Sequence, residues 1–198
     1  MNKNAKVKKH NLKLISFWSI IGLVSVAFLT IIIVMFVELR PIESYEDIRE
    51  AKLLVYGNQL FTQPEVEYYV YIYDSSNNDD IDLFKAEQLK PIIFNYFNFV
   101  KENKRKDNVV NLYGLDVRYP ENSSCVSNVD SSLNVTAFES FTVKESNLPM
   151  LIHIYQGAIE HRKITANDIQ SELQNAMDRV TLVSNIAILP RKEDIILT

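Results

Sequence analysis

One cysteine in 198 residues, Cys125, leaves no partner for a disulfide within the chain and no Cys-x-x-Cys pair for thiol exchange. Glycine is nearly as scarce, at four residues, and neither a phosphate-cradling loop nor a Gly-x-Ser-x-Gly elbow occurs. The three histidines, His10, His153 and His161, are too scattered for a His-Glu-x-x-His metal helix. Acidic residues are missing from positions 1–13, which carry five lysines, and charge of either sign is missing from 14–37.

That last absence is the most informative. The run LISFWSIIGLVSVAFLTIIIVMFV would be about 36 Å long as a helix at ~1.5 Å per residue, enough to cross a ~30 Å hydrocarbon core with some tilt. A buried core helix would rarely be this uniformly apolar. A cleavable leader fits less well, because ten more uncharged, almost wholly apolar residues follow the small-x-small triplet Ser25-Val26-Ala27. The reading is an uncleaved anchor, and the lysines put its N-terminus on the cytoplasmic side and residues 38–198 outside.

Removing those five lysines from a chain of formal charge −4 leaves −9 for the rest. An acidic body of this kind excludes nucleic acid, whose affinity comes from neutralised phosphates, and does not cling to anionic lipid. The Ile, Asn and Lys richness is that of an A/T-biased, low-G+C bacterial genome, so the sequons at Asn122 and Asn134 read as chance matches.

The chain divides into a basic tail (1–13), the anchor (14–37), a linker with a helical segment (38–67), an α/β domain (68–179) and an apolar C-terminal extension (180–198). Ser44 reads as the N-cap of a helix reaching roughly Gly57. Residues 68–73 form a β-branched and aromatic strand, whose tyrosines 68, 69, 71 and 73 serve packing. Asp79 to Asp82 cap a helix running to Val100 with Pro91 inside it. A strand at 109–117 precedes a polar surface loop at 118–136; residues 137–143 fit a short helix or a strand. Strands at 150–155 and 158–164 flank the Gln156-Gly157 turn, and a helix capped by Thr165 or Asn167 runs to Met177.

The order strand, proline-bearing helix, strand, loop, strand, hairpin, strand, helix resembles the thioredoxin-like fold over about residues 68–177. Three stretches carry the likeness: Lys90-Pro91 in the first helix, Leu112-Tyr113-Gly114-Leu115-Asp116-Val117 as a strand ending in Asp-Val, and Asn147-Leu148-Pro149-Met150 before a hairpin. The resemblance implies a mixed α/β sheet flanked by helices and a cis Leu148–Pro149 bond. It also implies that Leu83 and Ala86 stand where the family's enzymes carry their two cysteines, and Tyr71 near the family's buried acid. Thiol chemistry is therefore not expected. In the family, substrate peptides lie against the residue before the cis proline and the helix start, here Leu148 and Pro149 with Asp82, Leu83 and Phe84.

The expectation is a membrane-anchored, extracytoplasmic, redox-inactive domain that binds a protein partner of the cell envelope, with no cofactor, small-molecule substrate or enzyme activity. The alternative is a thiol-dependent oxidoreductase using Cys125 or a partner's cysteine. Its neighbours SSCVSN offer no cation to lower a thiol pKa. The acidic stretch 74–82 offers oxygen ligands for Ca²⁺, but Asp79 and Lys85 stand where an EF-hand loop needs Gly and Glu, so a helix-capping loop is preferred. His153 and His161 fall on facing strands and read as a surface cross-strand pair without enough further ligands for zinc.

Overall fold

In the computed structural model of the chain, residues 3–76, 83–106 and 108–188 are described. The chain separates into two units, Met1–Pro41 and Ile42–Thr198. The first is a single helix, α1 (Lys3–Leu39). Its stretch Leu14–Met35 has a mean hydropathy of 2.6 and no buried residue, and its length and composition suit a membrane span.

The second unit is a mixed α/β sheet with flanking helices. After α2 (Tyr45–Glu50), strand β1 (Glu67–Tyr73) leads to helix α3 (Leu83–Asn103) and back to strand β2 (Asn111–Asp116), which lies parallel to β1. A short helix α4 (Pro120–Ser123) and the small strands β3 (Val126–Ser127) and β4 (Val143–Lys144) follow. The hairpin of β5 (Met150–Tyr155) and β6 (Ala158–Lys163) precedes helix α5 (Ala166–Ile188). The strand order is β2-β1-β5-β6, with β5 antiparallel to both neighbours.

Strand β1 is buried on both faces, and its alternation sorts the core into two. Tyr69, Tyr71 and Tyr73 pack with Leu89, Ile93, Tyr96 and Phe97 of α3 and Ile169 and Leu173 of α5. Tyr68, Val70 and Ile72 face the other way, toward Leu60, Cys125, Phe141, Val143 and Leu148. Period-two alternation in a central strand requires a layer on each side, and the second layer is built largely from irregular chain. Packing, as expected, is what the four tyrosines do. The Tyr68 and Tyr96 hydroxyls also donate to the carbonyls of Leu60 and Val110, which offsets their burial.

Pro91 sits inside α3, which continues through it to Asn103. Thr165 caps α5: its Oγ1 accepts the Asp168 N–H at 3.2 Å and donates to the Asp168 carboxylate at 2.7 Å. That helix runs on past the expected Met177, and residues 189–198 lie outside the described chain. The Leu148–Pro149 bond is cis.

Two expectations need correction. The helix capped by Ser44 ends at Glu50 rather than near Gly57. Lys52 adopts φ +59° and turns the chain, after which Val55 N–H donates to Gly114 O and Gly114 N–H to Leu53 O, making a parallel bridge at Leu54. The backbone of β2 thus claims residues whose spacing alone suits a helix. The stretch 118–136 is also not merely a surface loop, since it contains α4 and β3 and buries Asn122 and Cys125. The Asn122 side chain satisfies the backbone around it, donating to Val55 O and Asp116 O and accepting from Gly57 N–H.

Candidate functional site

In an open α/β sheet, the crevice beyond the carboxyl ends of the parallel strands is the usual place for a site. Here that corner lies past Tyr73 and Asp116, where β1 hands over to α3. Asp116 is nearly fully buried and organises it. Its carboxylate accepts the Ser75 hydroxyl at 2.6 Å, the Ser75 N–H at 3.2 Å and the Arg118 N–H at 3.0 Å. The Arg118 guanidinium adds an ion pair at 3.6 Å. Asp116 was visible in the sequence only as part of a strand pattern; its clamp on the Ser75 turn depends on a tertiary contact.

Across the corner, Lys85 Nζ donates to Asn147 O at 2.9 Å, fastening the first turn of α3 to the segment before Leu148. The same segment is held from the other side by Asp130, which accepts from Lys144 N–H and the Asn147 amide, both at 2.6 Å. The Lys85–Asn147 bond thus brings the first turn of α3 beside the segment that leads into Leu148–Pro149.

Their exposure differs sharply. Phe84 is 82% exposed and Leu83 43%, whereas Leu148 is buried within the second core cluster. Pro149 is buried as well, and the Leu148 N–H is already bonded to Glu145 O. Asp82 lies outside the described residues, as does most of the acidic stretch 74–82. Among the described residues, the corner thus exposes apolar surface from Leu83 and Phe84.

No thiol stands there. Leu83 and Ala86 occupy the first turn of α3, and neither can carry a proton or a charge. Cys125 lies in the core layer on the far face of the sheet, buried among Val117, Phe141 and Val143. Burial pushes its thiol pKa up to about 12, the opposite of what a nucleophilic cysteine needs. Its place in the surface loop expected at 118–136 is corrected accordingly. Tyr71, near the place that the resemblance gives to a buried acid, has its pKa raised well above that of free tyrosine by burial. Its hydroxyl faces that of Tyr45 without a hydrogen bond of ordinary geometry, and it cannot act as a base near neutral pH.

A second cluster lies on the helix-facing side of β5 and β6. His153 and His161 are cross-strand partners, as their spacing suggested, with ring centroids 4.5 Å apart. They are not a surface pair, however. His153 is only 7% exposed because β5 is an interior strand, with β1 on one side and β6 on the other. Carboxylates surround the two rings. His153 Nε2 is 3.0 Å from Glu67 Oε1 and its Nδ1 is 2.9 Å from Glu160 Oε2. His161 Nδ1 is 3.9 Å from the same Glu160 oxygen, and its Nε2 is 3.6 Å from Glu172 Oε1. Glu172 also accepts the Tyr69 hydroxyl at 2.8 Å and pairs with Lys163 at 3.3 Å. No spacing in the sequence announces Glu67 and Glu172, which arrive from β1 and α5.

No protein-family model matches the chain, and no curated protein matches it in sequence. Its reading therefore rests on its own residues.

Proposed function

We propose that the chain is a membrane-anchored, thioredoxin-like protein whose reactive corner has been given over to binding a protein partner in the cell envelope. The single observation that carries the reading is the corner itself. The helix start and the Leu148–Pro149 segment are locked together by Lys85 and Asn147, with Leu83 and Ala86 in place of thiols and Phe84 held out to solvent. The strand order β2-β1-β5-β6, with α3 joining the two parallel strands, supports the thioredoxin-like assignment. The apolar N-terminal helix and its lysine-rich flank support an anchor with the domain outside the cell.

An aromatic side chain exposed to this degree on the first turn of a helix contributes nothing to the core and costs solubility. Phe, Tyr and Trp are enriched in protein–protein interfaces relative to the rest of the surface. The alternative, a thiol enzyme using Cys125, is disfavoured by the burial of that residue and its raised pKa. The test is insulin disulfide reduction by the full chain in detergent, with dithiothreitol as reductant. The expected rate equals that of a Cys125→Ala variant. Turnover above that control would overturn the reading.

A further inference from the structure

We propose that His153, His161 and Glu160 form a binding site for a divalent transition-metal ion of the zinc type, independent of the corner described above. One donor atom from each residue lies within 4.8 Å of the other two. Ligands on a tetrahedral zinc, with bonds of about 2.0–2.2 Å, stand roughly 3.3 Å apart. The 2.9 Å from His153 Nδ1 to Glu160 Oε2 and the 3.9 Å from His161 Nδ1 to the same oxygen bracket that spacing. Small rotations of the two more exposed side chains, Glu160 and His161, would close the set.

Backbone geometry explains how two adjacent residues reach one point. Successive residues of a regular strand point to opposite faces, which would separate Glu160 from His161. The β5–β6 ladder pairs His153 with His161 and then Ile154 with Ile159, leaving Glu160 as the extra residue of a bulge. A bulge sets two residues against one and re-aims a side chain. Here it lets Glu160 and His161 both approach His153.

The second, independent observation is the unmet nitrogen. His153 is more than nine-tenths buried, yet its Nδ1 makes no hydrogen bond; the Glu160 oxygen is within 2.9 Å but off the hydrogen-bonding direction. A buried nitrogen that makes no hydrogen bond is costly, and a metal ion held between it and the Glu160 carboxylate would use its lone pair. The opposite nitrogens complete the pattern. His153 Nε2 meets Glu67, and His161 Nε2 faces Glu172, which is itself held by Tyr69 and Lys163. Metal-ligating histidines almost always give their other N–H to a carboxylate, carbonyl or water, which fixes the tautomer and strengthens the ligand. Three protein ligands leave a fourth position open to water or to a partner's side chain.

The experiment titrates chelator-treated full-length protein in detergent with Zn²⁺ by calorimetry and with Co²⁺ by visible absorption. The expected result is one saturable equivalent, with Co²⁺ giving the intense bands of a tetrahedral site. His161→Ala and Glu160→Gln, both at partly exposed positions, should each weaken affinity at least tenfold. Glu172→Gln should weaken it by about 10-fold through loss of the carboxylate charge that stands 3.6 Å from His161 Nε2. Circular dichroism of each variant checks that folding is kept, since His153 itself is too buried to substitute safely. Absence of a saturable equivalent would overturn the proposal. So would uptake that survives both His161→Ala and Glu160→Gln, which would locate the ion elsewhere, such as the acidic stretch 74–82.

Discussion

Replacing Asn122 with Ala should be among the most damaging single changes outside the apolar core. Its side chain is fully buried and makes three bonds with backbone groups: to Val55 O at 3.2 Å, to Asp116 O at 3.0 Å and from Gly57 N–H at 2.8 Å. These tie the bridge strand at Leu54 and the turn at Gly57 to the end of β2, next to the corner. Asp116 O keeps a second donor, the Tyr119 N–H at 3.3 Å, so the full penalty falls on Val55 O and Gly57 N–H. A buried polar group left unsatisfied costs ~1–3 kcal/mol, which puts the loss at about 4 kcal/mol for the two. For a unit of this size, that corresponds to a fall in Tm of about 8–16 °C. Chemical and thermal unfolding of the full chain, followed by near-ultraviolet circular dichroism, would measure it. Asn122→Asp separates the donor and acceptor roles. The aspartate keeps an acceptor for Gly57 but sets a carboxylate oxygen against two carbonyls, so it should be at least as harmful as Ala. A cost below about 1 kcal/mol for Ala, or a benign Asp, would refute the reasoning.

Other positions give equally definite outcomes. A Cβ on Gly114 would stand 3.1 Å from Ile48 Cγ2 and 3.3 Å from Tyr73 Cε1, so Gly114→Ala should cost ~1–3 kcal/mol in denaturant titrations. Cys125 should resist iodoacetamide in the native protein at pH 8 and react only on unfolding. A thiol raised to about 12 by folding adds stability below its unfolded value near ~8.5 and loses it as pH climbs toward 12. Cys125→Ala should therefore flatten the decline of stability across that alkaline window, as read by denaturation at several pH values. Protease added to intact cells or protoplasts should digest the domain beyond the apolar helix and spare an N-terminal tag. Protection of the domain would reverse the orientation.

How far the sequence speaks depends on whether the force involved is local. The strand β1, the hairpin around Gln156-Gly157 and the cap of α5 at Thr165 were legible because side-chain alternation, turn chemistry and capping act over a few residues. The misread helix beyond Glu50 shows the limit. Residues 51–55 keep a helical spacing, but hydrogen bonds to Gly114, some sixty positions away, outweigh it. Asn122 and Cys125 sit in a stretch whose polarity reads as surface. They are inside because the asparagine satisfies backbone groups from three segments, which no local pattern encodes. At the corner, Leu83 and Phe84 are exposed, while Leu148 is drawn into the core. The histidine cluster was half legible: the cross-strand pairing followed from alternation, but the bulge at Glu160 and the approach of Glu67 and Glu172 did not.

If the corner at the start of α3 binds a protein instead of performing thiol chemistry, site-specific photocrosslinking in intact cells should capture that protein. A photoreactive residue would replace Phe84, with one at exposed Glu139 as control. Phe84→Ser in untagged protein should leave stability within about 0.5 kcal/mol, since the ring is outside the core. The expected result is a discrete protein adduct from position 84 that is absent from position 139 and is competed away by untagged wild type but not by untagged Phe84→Ser. Adducts that are the same from both positions, or none from position 84, would contradict it.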